Sequence, residues 1–174
     1  MKVVKAKIED KKAILDVYKN ATFHMKSEKN LTQRTDSPDE FFNKLIKYIQ
    51  DEVFYLVVRN DEVIGFFTII YGIDKSYNDI KGKWTNDLPY VTVHKIASKY
   101  YREKIGTFML SYIMKQAISN MVYNIRIDTH KDNVSMNNFL LNNDFVYCGV
   151  ISYTCDFNDK SSHRNAYIKE LSSH

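Results

Sequence analysis

A chain of 174 residues with 44% hydrophobic and 26% charged side chains has the makeup of one globular domain, long enough to bury a core without staples. Its formal charge of +4 is mild and its 25 basic residues are spread along the chain, which argues against a nucleic-acid stripe but suits a polyanionic small ligand. No apolar run approaches a membrane span, and the first twelve residues, MKVVKAKIEDKK, lack the apolar core of a signal peptide, so the expectation is a cytoplasmic protein with no membrane partner. Cys148 and Cys155 have no metal-ligand spacing and read as free thiols in a reducing compartment.

Residues 3–8 alternate apolar and charged side chains, the pattern of a half-buried strand. From Asp10 the period changes, and Ile14, Val17, Tyr18, Ala21 and Met25 share one helical face. A polar connection over 27–36 leads to Ser37-Pro38-Asp39-Glu40, a helix start with a Ser cap, Pro at the first position and Glu placed to close a capping box. Phe42, Leu45, Ile46 and Ile49 face inward from that second helix. The β-branched and aromatic runs 53–58 and 63–71 pair as an antiparallel hairpin. Residues 72–88 form a long polar connection carrying Tyr77, Gly82 and Trp84, where the tryptophan more readily packs the loop down than meets a substrate.

A strand over 90–98, a turn over 99–104, a helix over 105–121 and a strand over 124–130 follow. On the last strand Ile125, Ile127 and Thr129 share one face and Arg126, Asp128 and His130 the other. A short helix over 134–143 and strands over 145–155 and 165–171, around a polar loop 156–164, close the chain. The order β-α-α-β-β-β-α-β-α-β-β implies an α/β fold with a mixed, mostly antiparallel central sheet of about seven strands and helices on both faces. A single domain over 1–174 is expected. The crossover helix makes the strands before and after it parallel, and a ligand can enter where two such strands part. The turn before that helix ends in Gly106, at a helix mouth that presents free backbone N–H groups to an anion.

The run His94-Lys95-Ile96-Ala97-Ser98, then Tyr101-Arg102-Glu103-Lys104-Ile105-Gly106-Thr107, then Ile125 to Asn133 and Phe145-Val146-Tyr147-Cys148-Gly149, resembles the GNAT superfamily of N-acetyltransferases, in particular a bacterial subgroup of uncharacterised members. The resemblance covers essentially the whole chain. It implies an acyltransferase that moves an acetyl group from acetyl-CoA, its co-substrate, to a primary amine of a small molecule or peptide by direct attack in a ternary complex. A homodimer is compatible with it. The family pattern at the turn is Gln or Arg, two residues, Gly, one residue, Gly or Ala; here those positions hold Tyr101, Lys104 and Gly106, so only the last is kept. Lys104 sits there without strain only if its φ is negative.

By the same resemblance, Ile96, Ala97 and Ser98 would pair with the pantetheine arm like an added strand, Arg102, Glu103, Lys104, Ile105, Gly106 and Thr107 would cradle the pyrophosphate, and Asn133 would touch the coenzyme while also capping its helix. A backbone N–H near Ala97 or Ser98 would serve the oxyanion. Asp128 lies where some members carry a catalytic glutamate, and His94 and His130 compete with it as base. The position of the usual tyrosine acid is Leu140, leaving Tyr147 or Tyr153 on the next strand, or an unassisted thiolate, as alternatives. Asp36, Asp87, Asp156 and Asp159 are candidates for holding an ammonium, although each singly reads as a solvated loop acid. Two other classes remain open: a non-catalytic module that binds acyl-CoA or a protein partner, and an RNA-associated protein using its 13 tyrosines, against which no basic cluster accompanies them.

Overall fold

The computed structural model describes residues 1–27, 33 and 35–172; residues 28–32 and 34 of the expected polar connection lie outside the described residues. The chain divides into two compact units, Met1–Ile70 with His94–Ile113, and Tyr71–Val93 with Met114–His174.

In the first unit β1 (Lys2–Lys5), β2 (Phe54–Arg59), β3 (Glu62–Thr68) and β7 (Ile96–Ser98) form an antiparallel sheet in the order β1-β2-β3-β7. The hairpin between β2 and β3 turns on Asn60 and Asp61 at φ 51° and 62°, the paired left-handed conformation that matches strand twist. Helices α1 (Lys11–Ser27) and α2 (Pro38–Gln50) bring Ile14, Val17, Phe41, Phe42, Leu45 and Ile49 onto Phe54, Leu56 and Phe66 of the sheet. The capping box forms as expected: the Glu40 amide donates to Ser37 Oγ over 3.3 Å and the Ser37 amide to Glu40 Oε2 over 2.8 Å. On the other face Tyr55, Phe67 and Tyr112 make a ring cluster, Tyr112 coming from α3 (Ile105–Ser119). Gly65 lets α3 lie close, since a Cβ there would meet Ala97 O at 3.1 Å and Ile105 at 3.2 Å.

The second unit carries the sheet order β4-β6-β8-β10-β9-β5, with β4 (Ile70–Tyr71), β5 (Lys81–Gly82), β6 (Val91–Val93), β8 (Asn124–Thr129), β9 (Val146–Ser152) and β10 (His163–Glu170). β6 and β8 pair in parallel, as a crossover through α3 requires. On one face α4 (Val134–Leu141) meets the sheet through Asn137, whose Oδ1 accepts from Tyr167 Oη at 2.6 Å and Asn165 Nδ2 at 3.0 Å. The other face is covered by Tyr77, Trp84 and Tyr90 packed on Cys148, Ile151, Ala166 and Ile168.

The expected fold class holds: mixed α/β, mostly antiparallel, with helices flanking the sheets. Two details differ. The strand expected over 90–98 is broken at His94-Lys95, where both amides donate to the hydroxyl of Thr68, over 2.9 and 3.3 Å, and the chain leaves one hydrogen-bonded sheet for the other. The connection 72–88 contains a short 3-10 turn, Lys75–Tyr77, and strand β5, which pairs with β9. That pairing needs glycine on both sides. A Cβ on Gly82 would lie 2.1 Å from Cys148 O and one on Gly149 2.2 Å from Lys81 O, with φ of 142° and 136°. Cys148 is a buried and Cys155 an exposed free thiol.

Gly82→Ala should therefore cost about 2–3 kcal/mol in urea unfolding, because two backbones must separate. Gly72→Ala, where a Cβ meets nothing within 4 Å and only the left-handed φ of 105° is strained, should cost clearly less.

Candidate functional site

The first unit holds the turn that the sequence singles out. β7 pairs with β3 on one side and is the last strand of its sheet, so its other edge offers backbone groups to a strand-like ligand. After it the Lys99 amide donates to Ile64 O at 2.8 Å, and the chain turns through Tyr100 to Lys104. Arg102 and Lys104 lie at φ 62° and 57°. The first helical bond of α3 runs from Phe108 N to Lys104 O at 3.0 Å, so the amides of Ile105, Gly106 and Thr107 have no acceptor within the helix. Three amides without helical acceptors at a helix mouth, beside two left-handed residues and the exposed side chains of Arg102 and Lys104, have the donors and charge suited to a polyphosphate. The turn keeps the shape that glycine gives at Lys104 without the glycine, and the left-handed lysine carries about 1 kcal/mol of strain.

Aromatic rings flank this turn. Arg102 lies over the Tyr101 ring at 5.2 Å, and Tyr101 stacks on His24 of α1 at 5.9 Å. His94, at the strand break of the same unit, donates its backbone amide to Thr68, and its side chain is half-buried.

In the second unit the polar face of β8 is real but unequal. Arg126 is 5% exposed, with its guanidinium 4.1 Å from the Trp84 ring centre and 4.0 Å from that of Tyr90, and its Nη2 donates to Asn86 O at 2.9 Å. Arg126 thus belongs to the packing, as does Trp84, whose indole N–H donates to Tyr77 O at 3.0 Å. Asp128 remains partly accessible and accepts from Tyr77 Oη at 2.8 Å. Tyr77 is wholly buried, and burial first, then the Asp128 charge, pushes its hydroxyl well above the ordinary phenol value. It is a fixed donor.

His130, 8% exposed, ends this face. The Asp132 amide donates to its Nδ1 at 3.2 Å, which leaves the proton of the neutral ring on Nε2. Burial, and next the charge of Arg164, hold its pKa below the usual imidazole value, against a smaller opposing effect of Asp132. His130 is therefore a neutral donor at pH 7 and poorly arranged to take a proton. Arg164 donates to Ser161 O at 2.9 Å and His163 O at 2.7 Å, and lies 4.6 Å from the ring centre of Tyr153. Burial lowers the Arg164 pKa, while Asp128 and Tyr153 oppose that shift.

Asp128, His130 and Tyr153 of the expected set thus share one unit, where Arg164 lies over the Tyr153 ring and its charge acts on Asp128 and His130; His94 and the run Ile96 to Thr107 belong to the other unit. Asn133 caps α4, its Oδ1 accepting from Met136 N at 3.1 Å. Leu140 is wholly buried, so no hydroxyl stands at that position. Among the loop acids Asp36 pairs with Lys44 at 2.7 Å, while Asp156 and Asp159 accept from the amides of Asn158 and Ser161. The residues missed from sequence are Tyr77 and Arg164. A tyrosine in a polar connection and an arginine at the end of a polar loop gave no periodic signal, and only the glycine pair that fixes the connection could have pointed to the first.

No protein-family model matches the chain, and no curated protein matches it in sequence. Solved structures do match in fold. A GNAT family acetyltransferase from Streptococcus agalactiae superposes with a TM-score of 0.80 at 20% identity, over 99% of this chain and 96% of that one. PaiA N-acetyltransferase from Thermoplasma acidophilum, solved in complex with coenzyme A, gives 0.65 at 16% identity over 98% of each chain. Aminoglycoside 6'-acetyltransferase type Ii gives 0.65 at 16% identity over 100% of this chain and 99% of that one. The chain has the GNAT fold.

Lys104→Gly should raise stability by about 0.5–1 kcal/mol in urea unfolding, since glycine relieves the left-handed strain but gains entropy when unfolded. For His130, a folded pKa below 6.5 means that the unfolded chain binds the proton first as pH falls, so stability is full above 6.5 and lost below it. His130→Gln should flatten the fall in thermal midpoint below pH 6.5, and an unchanged slope would assign that fall to other groups.

Proposed function

We propose that the chain is an N-acetyltransferase of the GNAT type that binds acetyl-CoA together with a primary amine of a small molecule or peptide, the amine attacking the acetyl carbonyl directly. The observation that carries this reading is the turn 99–104 entering α3, with two left-handed basic residues and three amides free of helical acceptors. Arg102, Glu103, Lys104, Ile105, Gly106 and Thr107 would hold the pyrophosphate, and the open edge of Ile96, Ala97 and Ser98 would pair with the pantetheine arm. The coenzyme supplies an acetyl group activated as a thioester. Asn133 is proposed as a further contact, in addition to its capping of α4. The coenzyme A complex of a structural neighbour and the aminoglycoside acetyltransferase among the neighbours support coenzyme and amine as ligand classes. Among the described residues no helix is long and apolar enough to cross a membrane, and no group of three or more His, Cys, Asp or Glu could hold a metal. A cytoplasmic location is part of the proposal.

Of the four candidate catalytic side chains, Asp128 is the one arranged to accept a proton: its carboxylate is partly accessible and oriented by Tyr77 Oη. His130 is better suited to donate a hydrogen bond through Nε2, and His94 is proposed only as a neighbour of the reacting groups. Tyr153, half-exposed beside Arg164, stands as the acid candidate, with departure of an unassisted thiolate as the alternative. A second reading, a module that binds acyl-CoA without turnover, is favoured by the buried Leu140.

Titration calorimetry with acetyl-CoA followed by an amine screen reading free thiol separates the two. Binding with amine-dependent thiol release supports the enzyme, binding without it the module, and no heat at millimolar ligand removes both. Asp128→Asn keeps an oxygen for Tyr77 and should lower turnover about 10²–10⁴-fold with coenzyme affinity nearly unchanged. Unchanged turnover would remove Asp128 as the base.

A further inference from the structure

Lys99 is the first residue of the turn, and its side chain is 17% exposed. Its ammonium bonds Asp16 of α1 at 2.5 Å and Glu62 of β3 at 2.7 Å, and Glu62 Oε1 also accepts from Tyr100 Oη at 2.7 Å. Three residues on, Glu103 pairs with Arg59 at 2.7 Å, and Arg59 in turn lies over the Tyr100 ring at 5.6 Å. The turn is thus tied at Lys99, Tyr100 and Glu103 to the end of the β2–β3 hairpin and to α1, and every tie lies in the first unit. Between and beside those ties stand Arg102 and Lys104, the two residues whose left-handed backbone has no glycine to ease it. An exposed ion pair adds little to global stability, but Lys99 is shielded and shared between two carboxylates, one of which also accepts from a hydroxyl, the network arrangement in which charges fix geometry. Burial of a turn in apolar contacts is not the alternative here, since Tyr101, Arg102, Glu103 and Lys104 are all exposed.

We infer that the network Asp16–Lys99–Glu62–Tyr100, with Arg59–Glu103, is a positioning device that holds turn 99–104 in its left-handed shape and so keeps the amides of Ile105, Gly106 and Thr107 open to a pyrophosphate. The inference rests on the acetyl-CoA reading for its ligand, and on the turn alone for its mechanics. Glu62 and Lys99 are assigned no contact with the ligand. They act through the backbone: when the turn is formed in only a fraction of molecules, apparent affinity falls by that fraction.

Glu62→Gln removes the charge at the centre of the network and keeps an acceptor, and Tyr100→Phe removes one bond, so one variant remains if the other fails to fold. Acetyl-CoA affinity, measured by calorimetry on the full chain, should fall about tenfold, while that of S-acetylpantetheine, which lacks the pyrophosphate, stays unchanged. Trypsin cleavage after Arg102 and Lys104, read without any ligand, should become several-fold faster. Unchanged cleavage overturns the inference, as does unchanged acetyl-CoA affinity despite faster cleavage, or an equal loss for both ligands. If the parent chain itself binds no acetyl-CoA, the coenzyme reading falls, and the cleavage rates alone decide whether the network holds the turn.

Discussion

Thr68 Oγ1, a wholly buried hydroxyl, accepts the amides of both His94 and Lys95, and its own amide donates to Lys95 O at 2.9 Å. Two amides that a regular ladder would have paired strand to strand are thus satisfied on one side chain, and the backbone of the same residue satisfies a carbonyl beside them. A buried N–H left without an acceptor costs about 1–3 kcal/mol, so a strand can break inside a protein only where such a substitute is at hand. The break ends β6 after Val93 and starts β7 at Ile96. It is what leaves β7 as an edge strand, and an edge strand followed by a turn is what the proposed coenzyme site requires.

The parts of this arrangement that follow from side-chain period were legible in the sequence. The capping box at Ser37, the inward face of α1 and α2, the β2–β3 hairpin and the crossover through α3 each depend on residues within a few positions of one another. The break at His94 did not show, because it depends on a threonine 26 residues away whose hydroxyl looks like any other in a β-branched run. The same holds for the connection 72–88. Its polar composition reads as an open loop, yet Gly82 and Gly149 let two backbones touch, and Tyr77 and Trp84 then close over the sheet. Long-range pairing of two glycines leaves no local trace.

Within the candidate site, the alternation along β8 located the polar face but could not rank its members. Arg126, Asp128 and His130 point the same way, and what separates them is the connection above: Trp84 and Tyr90 enclose Arg126, while Tyr77 reaches Asp128 only with its hydroxyl. Desolvating an arginine between two rings is tolerable because the guanidinium is weakly hydrated and gains from the ring faces. A carboxylate so enclosed would have had no such compensation. The same cover therefore buries the cation and leaves the anion partly accessible, which is why the charge network that sequence alone would allow across all three residues resolves into one packed residue and one partly accessible carboxylate.

The turn before α3 shows a similar exchange. Glycine at the position of Lys104 would adopt the left-handed shape freely but would also leave the turn with more unfolded entropy and less charge. Lysine carries steric strain of about 1 kcal/mol and brings an ammonium to a helix mouth that already favours anions. The contacts at Lys99, Tyr100 and Glu103 fix the chain before and between the strained residues, so the conformation does not require the residue that ordinarily marks it. A sequence pattern built on glycine records one solution to the backbone requirement, and the requirement itself is a set of φ angles. Here Arg102 and Lys104 meet it with side chains that a phosphate would attract, and the chain keeps the geometry while losing the signature.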